Sequence, residues 1–385
     1  MASKYYMPTR VITGVDCIIN NSEALKTLGK TALIVTGVHS AKENGSEKDV
    51  RMALESVGIS YLLFDKVKSN PSVACVKEGA EIARKNGIDF IVAVGGGSPM
   101  DAGKAVALLA TQDINEEELF SGNYKPCALP VACVPTTAGT GSEVTQYSIL
   151  TNDKAQTKTS IATDCLFPAV AFLDPKYMRD LPVGTTVNTA IDALSHAVEG
   201  MLSVRASFVS NALAAESIRM VMQCTPELLK AVASGSQAID PQDREILLQA
   251  SMMAGMVIAQ TGTTAVHAMG YSLTYFRDID HGRANGLLLA EYLKLVEKQQ
   301  PELAGNIFKA MNLSGVNQFR ELTDRLLGVK EAISAEEIRR YSALAIKTKN
   351  IGNCIVKPTE EDLTSILEAS FTVTNQGGQR DGFDY

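Results

Sequence analysis

The chain has 385 residues, of which 45% are hydrophobic and 21% charged, and its 36 basic and 43 acidic side chains give a net charge of −7. This acidic balance excludes the basic surface that nucleic acids or anionic membranes require. The length favours two or three domains with a core large enough to fold without disulfides.

Cysteine usage and the N-terminal segment favour a cytoplasmic protein. The seven cysteines are scattered and no Cys-x-x-Cys occurs, which argues against a disulfide framework or a thiolate zinc site. The segment MASKYYMPTR lacks the apolar core of a secretory signal. The longest apolar stretch, residues 246–270, contains Gln249, Ser251 and Gln260, so we expect a buried helix there rather than a membrane span.

Short runs rich in β-branched residues alternate with helical patterns through the first half of the chain. The helical patterns cover residues 47–58 and 72–87, and both end on a glycine. Strands are predicted at residues 31–37, 60–67, 89–97 and 127–137. This alternation indicates an α/β fold with a parallel sheet and right-handed crossovers.

The strand signal almost disappears beyond Pro182. Long helical patterns rich in Ala, Leu, Met and Glu continue to about residue 370. We therefore predict an α/β domain over residues 1–182 and an all-helical domain over residues 183–385. The last residues, NQGGQRDGFDY, are expected to form a polar, poorly packed tail.

A glycine-rich segment, AVGGGSPMDAGKA at residues 93–105, is called the glycine loop below. We expect Ser98 to be the N-cap of a helix, with Pro99 at the first helical position and Asp101 at the third. The glycines let backbone approach a ligand closely, and the helix N-terminus offers free N–H groups, so a pyrophosphate would fit. A tight strand-to-helix turn would need the same glycines. The pattern is not that of a nucleotide triphosphatase.

A second segment, VPTTAGTGSEVTQYSI at residues 134–149, is called the threonine loop. Its hydroxyl groups could all donate to phosphate or ribose, and a polar surface turn is the alternative; they belong to Thr136, Thr137, Thr140, Ser142 and Thr145. Both loops follow strands of one predicted sheet. Open α/β sheets bind ligands beyond the carboxyl ends of their strands, which favours the binding interpretation.

Three of the four histidines lie in the helical half. Asp192 and His196 are four residues apart in a helical pattern and share one face. His267 and His281 follow in the segment VHAMGYSLTYFRDIDHG. One carboxylate and three imidazoles suit Fe²⁺ or Zn²⁺ with an open position for a substrate oxygen. Each histidine taken alone could equally be a hydrogen-bonded core residue.

Four segments resemble the iron-containing alcohol dehydrogenases in order and spacing over nearly the whole chain: GGGSPMDAGKA, PTTAGTGSEVT, DALSHAVE and HAMGYSLTYFRDIDHGRANGLLL. The resemblance implies a dinucleotide-binding α/β domain, a helical metal-binding domain and a cleft between them, the architecture shared with dehydroquinate synthase. It also implies a homodimer and hydride transfer between NAD(P)(H) and a small primary alcohol or aldehyde.

The same resemblance assigns roles to residues by position. Asp192, His196, His267 and His281 become the metal ligands, with Fe²⁺ as the expected ion and Zn²⁺ as the alternative. Cofactor binding is assigned to a larger set around the two loops: Gly37, Asn70, Gly96, Gly97, Ser98, Asp101, Thr136, Thr137, Ser142, Thr145 and Lys158.

Tyr271 departs from the family pattern. It follows His267 by four residues, where the family commonly has a second histidine that serves as a proton-relay candidate. A tyrosine hydroxyl can relay a proton, so Tyr271 is a candidate catalytic residue, but its ordinary pKa is about 10. We favour the alternative of a packing role, with the proton carried by solvent or by the cofactor ribose.

Gly37 is the second departure. It ends the strand predicted at residues 31–37, where members that prefer NAD tend to carry an aspartate that binds the ribose hydroxyls. Without that carboxylate a 2′-phosphate is not repelled, and Ser40 and Lys42 lie nearby to receive it. We therefore expect NADP(H) over NAD(H), with a relaxed NAD enzyme or a simple strand-end turn as alternatives.

Three other functions are alternatives to this interpretation. A glycerol dehydrogenase-like polyol oxidoreductase shares the architecture and usually relies on zinc. A dehydroquinate synthase-like lyase needs many basic residues for its acidic substrate, and here only Arg277 and Arg283 stand out near the metal helices. A catalytically inactive binding protein is disfavoured by the intact ligand set and both loops. The sequence leaves the particular alcohol or aldehyde open.

Overall fold

A six-stranded parallel sheet forms the centre of the first half of the chain. The computed structural model describes residues 4–236 and 238–374. The strands of the sheet are β1 (Arg10–Thr13), β2 (Thr31–Gly37), β3 (Ser60–Val67), β4 (Phe90–Gly95), β5 (Val131–Pro135) and β8 (Val170–Leu173), whereas β6 (Tyr147–Asn152) and β7 (Thr157–Ala162) form an antiparallel hairpin outside it. The spatial order is β1-β8-β5-β4-β2-β3, and every neighbouring pair is parallel. The predicted α/β fold is confirmed.

Helices cover both faces of this sheet. They are α1 (Cys17–Asn20), α2 (Glu23–Lys26), α3 (Ser40–Glu43), α4 (Ser46–Ser56), α5 (Val73–Lys85), α6 (Gly97–Ala110) and α7 (Glu116–Ser121). Side chains of β4 alternate between two apolar clusters: Ile91 packs with α5 and α6, and Val92 packs with α1 and α4. Burial on both faces explains why the strands read as continuous hydrophobic runs.

The second half of the chain is helical, as predicted. Its helices are α8 (Val183–Met201), α9 (Phe208–Ser234), α10 (Pro241–Thr261), α11 (Ala265–Arg277), α12 (His281–Gln299), α13 (Pro301–Met311), α14 (Val316–Leu327), α15 (Ala335–Ala345) and α16 (Glu360–Ser370). Two three-residue strands, β9 (Ala332–Ser334) and β10 (Thr372–Thr374), also pair there. The domain division at Pro182 remains a prediction, and the expected tail over 375–385 lies outside the described residues.

Helix α8 is the core of the helical half. Every residue from Ala190 to Met201 is buried, and the helix packs against α9, α10 and α12. A helix buried on all sides has no solvent face, so its polar side chains must find partners inside the protein. Asp192 and His196 lie on this buried segment.

The predicted start of α6 is wrong. The helix begins at Gly97 with Gly96 as its N-cap, so Ser98 and Pro99 lie inside the first turn and Asp101 lies beyond its third position. Gly96 has an extended backbone that any residue can adopt at an N-cap, and no side chain caps the helix. The first N–H groups of α6 are therefore not capped by a side chain.

The single buried helix expected over residues 246–270 is in fact two helices. The chain turns at Gly262, whose φ of +63° favours glycine, and α10 and α11 meet at a bend of 109°. Within the described residues no single helix has the length and apolarity to cross a membrane, and only this bent pair together meets the length and composition criterion.

Four strands of the first half escaped the sequence prediction, as did the short β9 and β10 of the second half. Strands β1 and β8 have four residues each, too few to give an alternating pattern. The hairpin of β6 and β7 is rich in Ser, Thr and Asn, and its polar composition resembles a loop. These strands matter because β7 carries Lys158.

The threonine loop is seated directly on α10. Gly141 has φ +61°, and a Cβ at this position would lie 2.4 Å from the Cα of Gly255. Conversely, a Cβ on Gly255 would lie 2.6 Å from the carbonyl oxygen of Gly141. The two backbones touch only because both residues lack a side chain.

Gly255→Ala is expected to destabilise the protein. At an exposed helix position the change would stabilise the helix by up to about 1 kcal/mol, because alanine has the higher helix propensity. Here the methyl group would overlap the backbone of Gly141, so we expect a net loss of about 1–3 kcal/mol in the free energy of unfolding. Urea unfolding followed by circular dichroism measures it.

Gly305 in α13 provides the matched control, because a Cβ there meets nothing within 4 Å. Gly305→Ala should unfold at a higher urea concentration than the parent chain. Equal stabilisation by the two alanine variants would contradict the loop contact at Gly255.

Candidate metal centre and cofactor cleft

Three helices bring the four predicted metal ligands together. Asp192 and His196 lie one turn apart on α8, His267 lies in the first turn of α11, and His281 is the first residue of α12. The Oδ1 atom of Asp192 lies 4.0, 3.9 and 4.0 Å from the Nε2 atoms of the three imidazoles in chain order. The Nε2 atoms of His196 and His267 are 2.9 Å apart.

A second ring of partners fixes the orientation of each imidazole. The Nδ1 atom of His196 lies 3.3 Å from the carbonyl oxygen of Gly139, and that of His267 is bonded to Glu199 Oε2. The Nδ1 atom of His281 lies 3.5 Å from the Thr274 hydroxyl, which already donates its own hydrogen to a carbonyl. Each partner accepts, so each Nδ1 carries the hydrogen and each Nε2 lone pair is directed towards Asp192.

Burial sets the charge state of this cluster. It lowers the pKa of His196, and it lowers that of His281 well below the ordinary value, so both rings favour the neutral form. For His267 burial alone would lower the pKa, but Glu199 outweighs it and raises the value. Burial alone would raise the pKa of Asp192, but any positive charge on the surrounding histidines and the hydrogen bond from Asn285 outweigh it and lower the value.

The donor set fits a divalent ion. Neutral imidazole nitrogens and a carboxylate oxygen are the ligands that Fe²⁺ and Zn²⁺ accept. Ligand atoms of Asp192, His267 and His281 all lie within 4.8 Å of one another, and His196 joins them through its Nε2 atom, 2.9 Å from that of His267. Without an ion, two lone-pair nitrogens at this distance would repel each other unless one were protonated. The structure thus brings the four predicted residues together, and their role as metal ligands stays a prediction.

Asn285 and Glu199 were missed by the sequence prediction. The Nδ2 atom of Asn285 donates to Asp192 Oδ1 at 3.0 Å and lies 3.2 Å from His267 Nε2 and 3.3 Å from His281 Nε2. Both residues could have been found by helical spacing, because Asn285 follows His281 by one turn on α12 and Glu199 follows His196 by one turn on α8.

Tyr271 lies against the cluster of the four predicted metal ligands, called the metal cluster below. Its ring stacks on His281 with centroids 5.8 Å apart and an interplanar angle of 8°, and it meets His267 edge-on at 6.3 Å. Burial, followed by the negative charges of Glu199 and Asp192, raises the pKa of the hydroxyl well above its ordinary value. The hydroxyl therefore keeps its proton near neutral pH.

The two loops pack on each other. A Cβ on Gly96 would lie 3.2 Å from Thr137 Oγ1, and a Cβ on Gly97 would lie 2.7 Å from Thr140 Cγ2. The backbone N–H of Thr136 donates to Gly95 at the end of β4. These glycines are therefore required by the contact between the loops, whether or not a ligand is bound.

Three predicted cofactor residues have partners within the protein. Asp101 accepts from Ser142 Oγ at 2.8 Å and from a backbone N–H of β6 at 3.1 Å. The buried ammonium of Lys104, which the sequence prediction missed, donates to Ser142 Oγ at 2.8 Å and to Thr145 Oγ1 at 3.3 Å. Asp101, Ser142 and Thr145 thus tie the threonine loop to α6.

Gly37, Asn70 and Ser98 meet at the carboxyl edge of the sheet. The backbone N–H of Asn70 donates to Ser98 Oγ at 3.2 Å. A Cβ on Gly37 would lie 3.8 Å from Pro99 Cγ and 3.8 Å from Ser40 Oγ, which are ordinary contacts. This edge, where β2, β3 and β4 end, is where open α/β sheets bind their ligands.

Lys158 lies between this edge and the metal cluster. Burial lowers the pKa of its ammonium to about 8, against the opposing charges of Asp101 and Asp192. Among the described residues its recorded interactions are electrostatic ones with nearby carboxylates, of which Asp101 and Asp192 are the largest.

Comparison with known proteins covers both halves of the chain. Family models described as iron-containing alcohol dehydrogenase and as Fe-containing alcohol dehydrogenase family, C-terminal, match residues 8–175 and 186–371. The 1,3-propanediol dehydrogenase of Citrobacter freundii is 34% identical, across 95% of this chain and 98% of that protein.

Two crystal structures agree with this match. An iron-containing alcohol dehydrogenase from Thermotoga maritima is similar with a TM-score of 0.88 and 37% identity, covering 96% of this chain and 99% of that one. A sulfoacetaldehyde reductase from Bifidobacterium kashiwanohense, solved in complex with NAD⁺, has a TM-score of 0.83 and 28% identity over 95% of this chain and 98% of that one.

Glu143 is a buried carboxyl group in the threonine loop. Its Oε1 atom has no hydrogen-bond partner in the part of the chain that the structure describes. Burial raises its pKa from 4.5 to about 7. Between these two pH values the folded protein holds a proton that the unfolded chain has lost, so stability falls as the pH rises through this window.

Glu143→Gln is expected to remove this dependence. The variant should exceed the parent chain at pH 8 by on the order of 2 kcal/mol in the free energy of unfolding, and the two should converge towards pH 4.5. Urea unfolding across this pH range measures the difference. The exposed Glu302→Gln serves as the control; if it reproduces the same pH dependence, Glu143 is not the group responsible.

Proposed function

The chain belongs to the iron-containing alcohol dehydrogenase family, and we propose that it interconverts small primary alcohols and aldehydes with NADP(H) as the favoured cofactor. The observation that carries the proposal is the set of three imidazoles whose Nε2 atoms face one buried carboxylate. Such a set does not stabilise the fold, because burying polar atoms that face one another without an ion is unfavourable in free energy.

Asp192, His196, His267 and His281 would hold the ion, Fe²⁺ by family and Zn²⁺ as the alternative. When bound there, the ion supplies a Lewis acid that lowers the pKa of an alcohol or polarises an aldehyde. The chain's part is to keep each Nε2 unprotonated and aimed inward, through Gly139, Glu199 and Thr274.

The carboxyl edge of the sheet would bind the dinucleotide, which supplies or accepts the hydride. The first turn of α6 offers backbone N–H groups to the pyrophosphate, and Gly96 and Gly97 let the threonine loop pack closely beside that turn. We assign Thr136, Thr137 and Lys158 to the same ligand. Asp101, Ser142 and Thr145 contribute by holding the loop in place, since their side chains are already bonded.

Tyr271 would form a wall of the substrate pocket. A hydroxyl that keeps its proton near neutral pH is a poor general base. The aromatic face against His281 excludes water from that side of the cluster. The proton would then reach solvent by another route, in agreement with the packing role favoured from the sequence.

Two arginines weigh against a lyase of the dehydroquinate synthase type. Arg277 is paired with Glu337 at 3.1 Å, and Arg283 is paired with Glu331. Neither guanidinium is free to bind a phosphorylated acidic substrate. A cytoplasmic homodimer remains part of the proposal, and all seven cysteines are free thiols, as a reducing compartment requires.

The function is tested by anaerobic reconstitution with Fe²⁺ or Zn²⁺ and assay with NADPH or NADH on C2–C4 aldehydes. We expect metal-dependent loss of nicotinamide absorbance that a chelator abolishes. His281→Ala should lower kcat/KM by at least about 100-fold, whereas Ser217→Ala, which removes a buried hydroxyl on α9 that donates to Ala250, should not. Absence of turnover with every metal and cofactor would refute the dehydrogenase.

Gly37→Asp tests the cofactor preference. The new carboxylate fits without a clash and would face a 2′-phosphate, so we expect the NADPH to NADH ratio of kcat/KM to fall by about 10- to 100-fold. Lys42 could bind the 2′-phosphate, because its ion pair with Asp65 is exposed and therefore weak. Gly37→Asn, of equal size and neutral, is the control. A parent enzyme that strongly prefers NADH would contradict the proposal.

A further inference from the structure

We propose that Glu199 is a positioning residue that fixes the tautomer of His267 and thereby the strength and geometry of the metal centre. The inference rests on the proposed function, because it concerns the same ion. Glu199 lies on the buried segment of α8, and its side chain is fully excluded from solvent. No motif from the sequence gave it a role.

Both oxygens of Glu199 accept from the start of α11. Oε1 accepts from the backbone N–H of Thr264 at 2.8 Å, from its hydroxyl at 2.7 Å, and from the N–H of His267 at 3.4 Å. Oε2 accepts from His267 Nδ1. Thr264 is the N-cap of α11 but makes no side-chain cap of its own, so Glu199 caps this helix from α8.

The carboxylate does two things with one group. It satisfies the free N–H groups at the start of α11 and so fixes where the helix begins. It also holds the Nδ1 hydrogen of the ligand that this helix carries. The position and the tautomer of His267 are therefore set by the same side chain, on the helix that carries Asp192 and His196.

His267 differs in this respect from the other two imidazoles. The Nδ1 of His196 faces the neutral Gly139 carbonyl, and that of His281 faces the neutral Thr274 hydroxyl at 3.5 Å. Only His267 of the three has a carboxylate at its Nδ1 atom. A charged acceptor makes the opposite nitrogen a stronger electron donor, so His267 should contribute most to binding the ion.

An amide cannot replace the carboxylate here. Every group that points at Glu199 is a donor, and glutamine has only one accepting oxygen. With its NH₂ towards His267, the amide would donate to Nδ1 and move the ring hydrogen to Nε2, which removes the ligand lone pair. With its NH₂ towards Thr264, it would oppose the backbone N–H of the cap. Glu199→Gln is therefore nearly isosteric and chemically disruptive.

The experiment measures the dissociation constants of Zn²⁺ and Co²⁺ for the full chain by competition with a chromophoric chelator, together with the visible absorption of the Co²⁺ form. We expect Glu199→Gln to weaken both constants about 10- to 100-fold and to shift the Co²⁺ bands. Thr264→Val is the matched control, because it removes one donor to Glu199 and leaves the bond to His267 in place; it should change the constants less than about threefold.

The outcomes separate the two proposals. A parent chain that takes up neither ion overturns the proposed function and this inference with it. Uptake by the parent chain with an unchanged constant and spectrum for Glu199→Gln overturns the inference alone. If the amide variant does not fold, Glu199→Asp replaces it: the shorter side chain withdraws the carboxylate from Nδ1, and a constant within threefold of the parent value overturns the inference.

Discussion

Burying a carboxylate and three imidazoles side by side is unfavourable unless every polar atom has a partner, and the helical half of this protein is arranged around that constraint. Asp192 receives the amide of Asn285, and each ring is held by a separate acceptor. The inward Nε2 atoms of His267 and His281 share this one amide, at 3.2 and 3.3 Å, and the Oδ1 atom of Asn285 has no hydrogen-bond partner among the described residues. The outer sides of the three rings are thus better satisfied than the centre of the cluster, where the proposed ion would lie.

Helices can bring these groups together only by approaching closely. A Cβ on Gly282 would lie 1.9 Å from the carbonyl oxygen of Asn188, and a Cβ on Gly286 would lie 2.4 Å from Ile191. Both glycines stand on α12 where it crosses α8, so side chains there would push His281 away from Asp192. The close approach of α12 to α8 therefore also sets the distance between His281 and Asp192.

One loop joins the metal cluster to the cofactor edge. The threonine loop supplies Gly139 to His196, while Thr137 and Thr140 press on the glycine loop. The ammonium of Lys104 on α6 donates to the carbonyl oxygen of Thr145 in the same loop. A displacement of this loop would therefore disturb a ligand and the dinucleotide cradle together, which couples the two halves of the reaction through packing alone.

The sequence predicts most of this fold, for identifiable reasons. The strands at residues 31–37 and 60–67 are long and apolar enough to be delimited correctly. Only Asp192 and His196 are at helical spacing, and His267 and His281 were added to them by the family resemblance; the structure brings all four side chains together, and their role as metal ligands stays a prediction. Glu199 was overlooked because acidic residues are common and its role depends on α11 lying opposite. The family resemblance assigns Ser142 and Asp101 to the cofactor, and the sequence does not show that Ser142 is bonded to Asp101 and Lys104, because these contacts exist only once the threonine loop packs on α6.

The negative charges of Glu199 and Asp192 also explain the effect of having a tyrosine at position 271, where the family commonly has a histidine. A histidine there would stand beside two carboxylates, Glu199 and Asp192, and could become a cation near neutral pH. Those charges instead raise the pKa of the Tyr271 hydroxyl and keep it neutral. The protein therefore has one group fewer that titrates near neutral pH beside His281, whereas Lys158, with its pKa near 8, titrates closer to that range.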